Sequence, residues 1–207
     1  MSEIQSPAPR SSPKRDLLLA TAFRLFNERG YHAVGIDTIL AEAGVAKMTL
    51  YNHFKSKDEL IAAALDRRAK DILVHRENAL SQAGRDPFDK IAALFDGYGS
   101  WFRSADFKGC AFIRAVGEFP DADHPINQLV QEQKQALIDL IESFCEEAGA
   151  DDPTSLAQQI YLLAEGAIVR AHTFSSPQAA DLAKHAALTL LKAAIQRSHQ
   201  DLPTHLL

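Results

Sequence analysis

The stretch AEAGVAKMTLYNHF, Ala41 to Phe54, places Lys47, Met48, Thr49, Tyr51, Asn52 and His53 within seven positions. An ammonium, a hydroxyl, a phenol, an amide and an imidazole make a poor core. They are well suited to a polyanion. Amides and cations match the edges of base pairs, while hydroxyls and ring donors reach phosphate oxygens. At about 100° per residue, Leu50 and Phe54 fall on one side of a helix. Met48, Thr49 and Asn52 fall opposite, flanked by Lys47, Tyr51 and His53. So short a helix is held by its neighbours rather than by its own propensity. Spacing alone fits two readings: a helix presented to a major groove, or an ordinary helical hairpin with a solvated face.

The elements that must position these residues are helical. KRDLLLATAFRLFNERG sets Leu18, Ala22, Leu25 and Phe26 on one face and stops at Gly30. IDTILAEAG is a short second helix ended by Gly44, and Lys47–His53 is the third. SKDEL then offers a cap, with Ser56 accepting from the third helical N–H and Glu59 reaching back. A long fourth helix is expected to about Leu80. Further helices are expected over about 88–103, 109–119, 125–148, 154–173 and 178–197, with Asp123 as the cap in PDADHP. Alternation of period two persists nowhere, so the fold class is all-α: a three-helix head on a larger bundle of about nine helices in all. Residues 1–13, with three prolines and four serines, read as a disordered arm.

The span GYHAVGIDTILAEAGVAKMTLYNHFKSKDEL, Gly30 to Leu60, resembles the DNA-binding head of the TetR/AcrR family of transcriptional regulators. The resemblance is carried by Gly30-Tyr31, Ile39, Ala43-Gly44-Val45, Thr49-Leu50-Tyr51, Phe54, Lys57 and Leu60. It implies that Lys47, Met48 and Asn52 face bases, and that Thr49, Tyr51, His53 and Lys57 hold phosphates. Thr38 would reach a phosphate from the second helix, and Arg10, Lys14 and Arg15 would add contacts from the arm. The chain departs from the family pattern at Gly35 and Ala46, where a capping Ser or Thr is usual, and Ala46 is a poor cap. Met48 stands where glycine is frequent. Asp37 stands where a base is common, either as a first-turn acid or as an acceptor for a cytosine amine. The implied domains are a helix-turn-helix over residues 14–60 and a ligand-sensing and dimerisation domain over 61–207.

Charge agrees in sign. Residues 10–60 carry an excess of two positive charges and residues 61–207 an excess of six negative, which with Glu3 makes a net charge of −5. No run approaches membrane-spanning length, and neither a signal peptide nor zinc-type cysteine spacing is present, so a cytoplasmic protein with free Cys110 and Cys145 is expected. Reading a palindromic operator in double-stranded DNA needs two copies. The resemblance places a homodimer seam on the last two helices, where Ile160, Leu163, Ala167 and Ala171 form one stripe and Leu182, Ala186, Leu190 and Ala193 another. Tyr98, Trp101, Phe102, Phe112, Arg114 and His172 are the candidates for binding a small apolar or aromatic effector, with core packing as the plainer role for each. Glu118, Asp121, Asp123 and His124 make a superficial metal cluster, better explained as turn and cap. No cofactor, metal or catalytic residue is expected. The function implied is a ligand-released repressor. A regulator controlled by a partner protein, with no small-molecule ligand, fits the same residues.

Overall fold

The computed structural model describes residues 12–200, with side chains to Ile195, and among them it is entirely helical. The elements are α1 (Pro13–Arg29), α2 (Ile36–Ala43), α3 (Lys47–His53), α4 (Lys57–Gln82), α5 (Pro87–Phe102), α6 (Ala111–Glu118), α7 (Pro125–Glu147), α8 (Pro153–Phe174) and α9 (Ala179–Gln200). The arm lies outside the described residues except for Ser12 and Pro13, which start α1. Pro13 suits that place because its missing N–H costs a helix nothing in the first turn. Arg10 is likewise outside. Arg15 is not an arm residue: it sits in α1 with its guanidinium 5.3 Å from the centre of the Phe54 ring.

Two apolar clusters organise the chain. The first joins α1, α2, α3 and the start of α4 to α6 and the start of α7, around Leu18, Phe26, Tyr31, Leu50, Phe54, Leu65 and Phe112. The second joins α5, α7, α8 and α9, around Phe95, Ile141, Cys145, Ile160, Ala164, Ala187 and Leu191. Helix α6 therefore shares its core with the head, although it follows the head by about fifty residues in the chain.

Local chemistry sets the ends. Ser56 caps α4 by accepting from the Glu59 N–H at 3.1 Å, and Glu59 reaches back to the N–H of Lys55 at 2.7 Å. The cap of α7 is His124, not Asp123. Pro125 takes the first helical position, so the residue before it is the cap, and His124 Nδ1 accepts from the Ile126 N–H at 3.2 Å. Asp121 instead tightens the preceding turn by accepting from the Asp123 N–H.

The dimer stripe expected on α8 is not a free surface. Ile160, Ala164, Ala167 and Ala171 are buried against α7 and α9 of the same chain, and Leu163 is half-buried. Small residues let α9 approach closely, and that approach consumes the stripe. Helix α8 has a second apolar line at helical spacing, Leu162, Gly166 and Val169, and this one faces solvent. On α9 the inner line is Ala183, Ala187 and Leu191, whereas Leu182 and Ala193 are exposed and Ala186 and Leu190 half-buried.

Cys145 has no solvent exposure, and burial, then the nearby Glu142 charge, pushes its thiol from about 9 up to about 11. The folded chain then keeps this proton longer than the unfolded chain, so stability is whole below pH 9 and falls through pH 11. The expected loss from this group is roughly 2 kcal/mol. Urea melts at pH 8, 9.5 and 11 check it: Cys145→Ala should show a decline shallower by about that amount, and equal declines would show that Cys145 does not carry the effect.

Candidate nucleic-acid interface and interior cluster

The α2–α3 turn is built around Gly44, which takes a left-handed conformation, φ 63° and ψ 35°. A side chain there would be strained, and a glycine is not. Its N–H and that of Val45 both close on the Leu40 carbonyl, so the chain reverses in three residues. Helix α3 then starts at Ala46 without a side-chain cap, as its sequence implies. Leu50 and Phe54 are buried and fix α3 to α1. Lys47, Met48, Tyr51 and Asn52 are exposed, Met48 at 71%. Thr49, His53, Thr38 and Lys57 are half-buried at the margins.

No acid lies on α3, and Lys47 Nζ stands 3.7 Å from Asp37 Oδ1 on α2. Both side chains are well exposed, so the pair adds little stability. It does hold the two helices' solvent-facing polar groups together. Lys57 Nζ donates to the His32 carbonyl at 3.2 Å, which orients the ammonium and leaves two of its hydrogens for another acceptor. An exposed face of cation, amide, thioether and phenol, rigidly held from behind and bordered by hydroxyl, imidazole and ammonium groups, is what a groove-reading helix requires.

Comparison with known proteins agrees over most of the chain. Residues 18–64 match the model of bacterial regulatory proteins of the tetR family, and residues 87–187 match the tetracycline-repressor-like C-terminal domain. A TetR-family transcriptional regulator of Streptomyces coelicolor, known as a crystal structure, is 32% identical; the match covers 88% of this chain and 96% of that one, with a TM-score of 0.83. This chain belongs to the TetR family. The HTH-type transcriptional regulator YjdC of Escherichia coli is 25% identical over 181 residues, 87% of this chain and 95% of YjdC. The transcriptional repressor NemR of Escherichia coli is 26% identical over 166 residues, 76% of this chain and 83% of NemR. As a TetR-family member the protein is a DNA-binding transcriptional regulator and not an enzyme. No helix among the described residues is long and apolar enough to cross a membrane.

In the body of this TetR-family chain, four of the six candidate effector residues come together. Tyr98 stacks on Phe102 at 6.1 Å, Trp101 lies 5.7 Å from Phe102, and Phe107 meets Trp101 edge-on at 4.9 Å. His172 joins from α8, edge-on to Phe107 at 6.1 Å. Phe112 and Arg114 do not join them. Phe112 is buried in the head cluster, and Arg114 Nη2 donates to the Lys108 carbonyl at 3.1 Å. Trp101 and Phe112 do share a partly open cleft of about 380 Å³, also lined by Phe23, Arg68, Ile72 and Cys110. A recess of about 650 Å³ bounded by Asp37, Thr38, Ala41 and Glu42 is open to solvent and encloses nothing.

Sequence reasoning missed the polar group beside the rings. Lys134 Nζ on α7 donates to Glu165 Oε1 on α8 at 2.6 Å and to Cys110 Sγ at 3.7 Å. Burial works against the ammonium, but Cys110 and the Glu165 carboxylate outweigh it and hold Lys134 above its ordinary range. Burial likewise raises the Tyr98 and Tyr161 phenols. Lys134 sits in QEQKQAL, a run that looks solvated. Glu165, the only acid in IYLLAEGAIV, was the available signal.

The superficial acidic cluster is spent on structure. Glu118 accepts backbone N–H groups from the head, Asp121 makes a turn, and His124 caps α7. Three of the four residues of that cluster thus have structural roles.

Proposed function

We propose that this regulator acts as a homodimeric, cytoplasmic repressor. It holds a palindromic operator through α3 and releases it when a small apolar or aromatic molecule enters the body beside Tyr98, Trp101 and Phe102. Residues 14–60 serve as the DNA-binding domain and residues 61–207 as the sensing and dimerisation unit. The observation that carries the reading is the exposed face of α3, with Lys47, Met48, Tyr51 and Asn52 outward and Leu50 and Phe54 clamped inward. Lys47, Met48 and Asn52 are assigned to bases. Thr38, Thr49, Tyr51, His53 and Lys57 are assigned to phosphates.

The dimer is assigned to the outward faces of α8 and α9. Leu162, Val169 and Leu182 are 67%, 51% and 61% exposed, an apolar lining that a second copy would cover. The release step is supported by the aromatic group and by the cleft that Trp101 shares with Phe112. A relative named a repressor supports the sign of regulation.

A mobility-shift titration with the promoter region of the regulator's own gene tests this. The whole palindrome should bind at least about 100-fold more tightly than one half-site, because the dimer engages both. Lys57→Ala should weaken binding to every sequence alike and reduce the salt slope by about one. Equal affinity for half and whole sites would sink the dimeric reading. A fall in transcription of the target on deleting the regulator would reverse the sign to activator.

A further inference from the structure

Helix α6 is tied to the head at both ends, and one residue, Tyr31, does most of the tying. The Tyr31 hydroxyl donates to the Ala111 carbonyl at the start of α6, at 2.9 Å. Its backbone N–H donates to Glu118 Oε1 at the end of α6, also at 2.9 Å. Tyr31 thus links the two ends of the helix. The other carboxylate oxygen of Glu118 accepts from the His32 N–H at 2.6 Å, and His32 Nδ1 lies 3.3 Å from that oxygen. Bonds from N–H groups to a carboxylate are shorter and stronger than neutral ones. The fit is close: Gly30 has φ 89°, and a Cβ there would come within 2.9 Å of Glu118 Oε1.

The same end of α6 reaches two more elements. Phe119 lies between the His32 and His124 rings, 4.8 Å from each, and accepts at its carbonyl from Asn127 Nδ2. His124 Nε2 stands 3.8 Å from Asp58 on α4. The opposite side of α6 belongs to the body. Cys110, the residue before it, meets Lys134, which holds Glu165 on α8, and the His172 ring lies over Gly109. A chain of direct contacts therefore runs from α8 through α7 and α6 to the turn between α1 and α2.

We propose that Tyr31 and Glu118 are positioning residues for DNA recognition. By fastening α6 to the head they set the angle of the head on the body, and hence the half-site spacing that the dimer accepts. This path runs beside α4, the helix that continues from the head into the body, and does not pass through it. The inference rests on the dimeric DNA-binding reading above.

Each base pair inserted between half-sites moves the second one by about 3.4 Å and turns it by roughly 34°. The full-length protein is titrated on its selected operator, on operators with the centre lengthened or shortened by one and two base pairs, and on a single half-site. The wild type should lose about tenfold or more per altered spacing. Glu118→Ala and Tyr31→Phe should flatten that profile to within about threefold while leaving half-site affinity unchanged. A spacing profile as sharp as the wild type's in both variants overturns the proposal. Half-site affinity verifies that the head is folded, and Tyr31→Phe, which keeps the ring and removes one hydrogen bond, carries the test where Glu118→Ala does not fold. Amide hydrogen exchange gives a readout free of DNA: exchange over Ala111–Glu118 should accelerate at least about tenfold in both variants, and unchanged exchange also overturns the joint. A wild type that binds no DNA while its variants still show the faster exchange would refute the regulator reading and leave the joint standing.

Discussion

Replacing Lys134 with methionine is expected to cost about 2–4 kcal/mol of folding stability, although it removes a charge from the interior. The reason lies with the partner left behind. Glu165 accepts from Lys134 Nζ at 2.6 Å, and the two side chains are only 19% and 21% exposed. Their surroundings are the Tyr98 and Tyr161 phenols and Cys110, none of which can replace an ammonium. Without Lys134 the carboxylate stays in a poorly hydrated site and must ionise unpaired or take up a proton. Either course penalises the folded state alone. The double variant Lys134→Met with Glu165→Leu should recover most of the loss, because an apolar pair of similar volume has no desolvation cost to meet. Urea melts of the two single variants and the double variant at pH 7 give the coupling directly. If the double variant is as unstable as the sum of the singles, the pair is not acting as a unit.

The pair also marks where the sequence was legible and where it was not. Helix α3 was legible to the residue, because Gly44 can end a helix in the left-handed region and Leu50 and Phe54 leave only one way to seat it. The head as a whole was readable for the same reason: its elements are short and each end has a chemical stop. The α8 seam was misread. Two apolar lines run along α8, and periodicity cannot tell which one a neighbour in the same chain will cover. The small residues that suggested a partner subunit instead admitted α9. Glu118 was read only as part of a turn and cap, since its true partners at Tyr31 and His32 lie 87 and 86 positions away. Lys134 lay hidden because a lysine among glutamines looks solvated until α8 brings Glu165 beside it. Contacts made along one helix could be read from spacing, but contacts made between helices could not, because they depend on how the elements pack.

Asn52→Ala and Tyr51→Phe should both weaken operator binding, but in different ways. Asn52 is exposed on the outward side of α3, where its amide can donate and accept at once, the pattern an adenine edge presents in the major groove. Truncating it should cost about 1–3 kcal/mol on the best operator, a loss of roughly 5- to 150-fold, and should relax the preference at one base position in each half-site. Tyr51 is 44% exposed, so its ring is partly anchored while its hydroxyl is free to reach a phosphate. Phenylalanine keeps the ring and removes only that donor. The expected result is a loss of about 3- to 10-fold spread evenly over all operator variants, with no change of preferred base. Affinities measured across every single-base variant of one half-site separate the two outcomes. A uniform loss for Asn52→Ala together with a changed base preference for Tyr51→Phe would invert the assignment of α3, and the side that chooses the sequence would have to be sought through Tyr51. Neither variant should shift the melting temperature by more than about 2 °C, since both remove groups that α3 does not use to pack. That control matters because α3 has no side-chain cap at Ala46 and depends on Leu50 and Phe54 for its hold. A variant that loosened the helix would weaken every contact together and would imitate a phosphate defect.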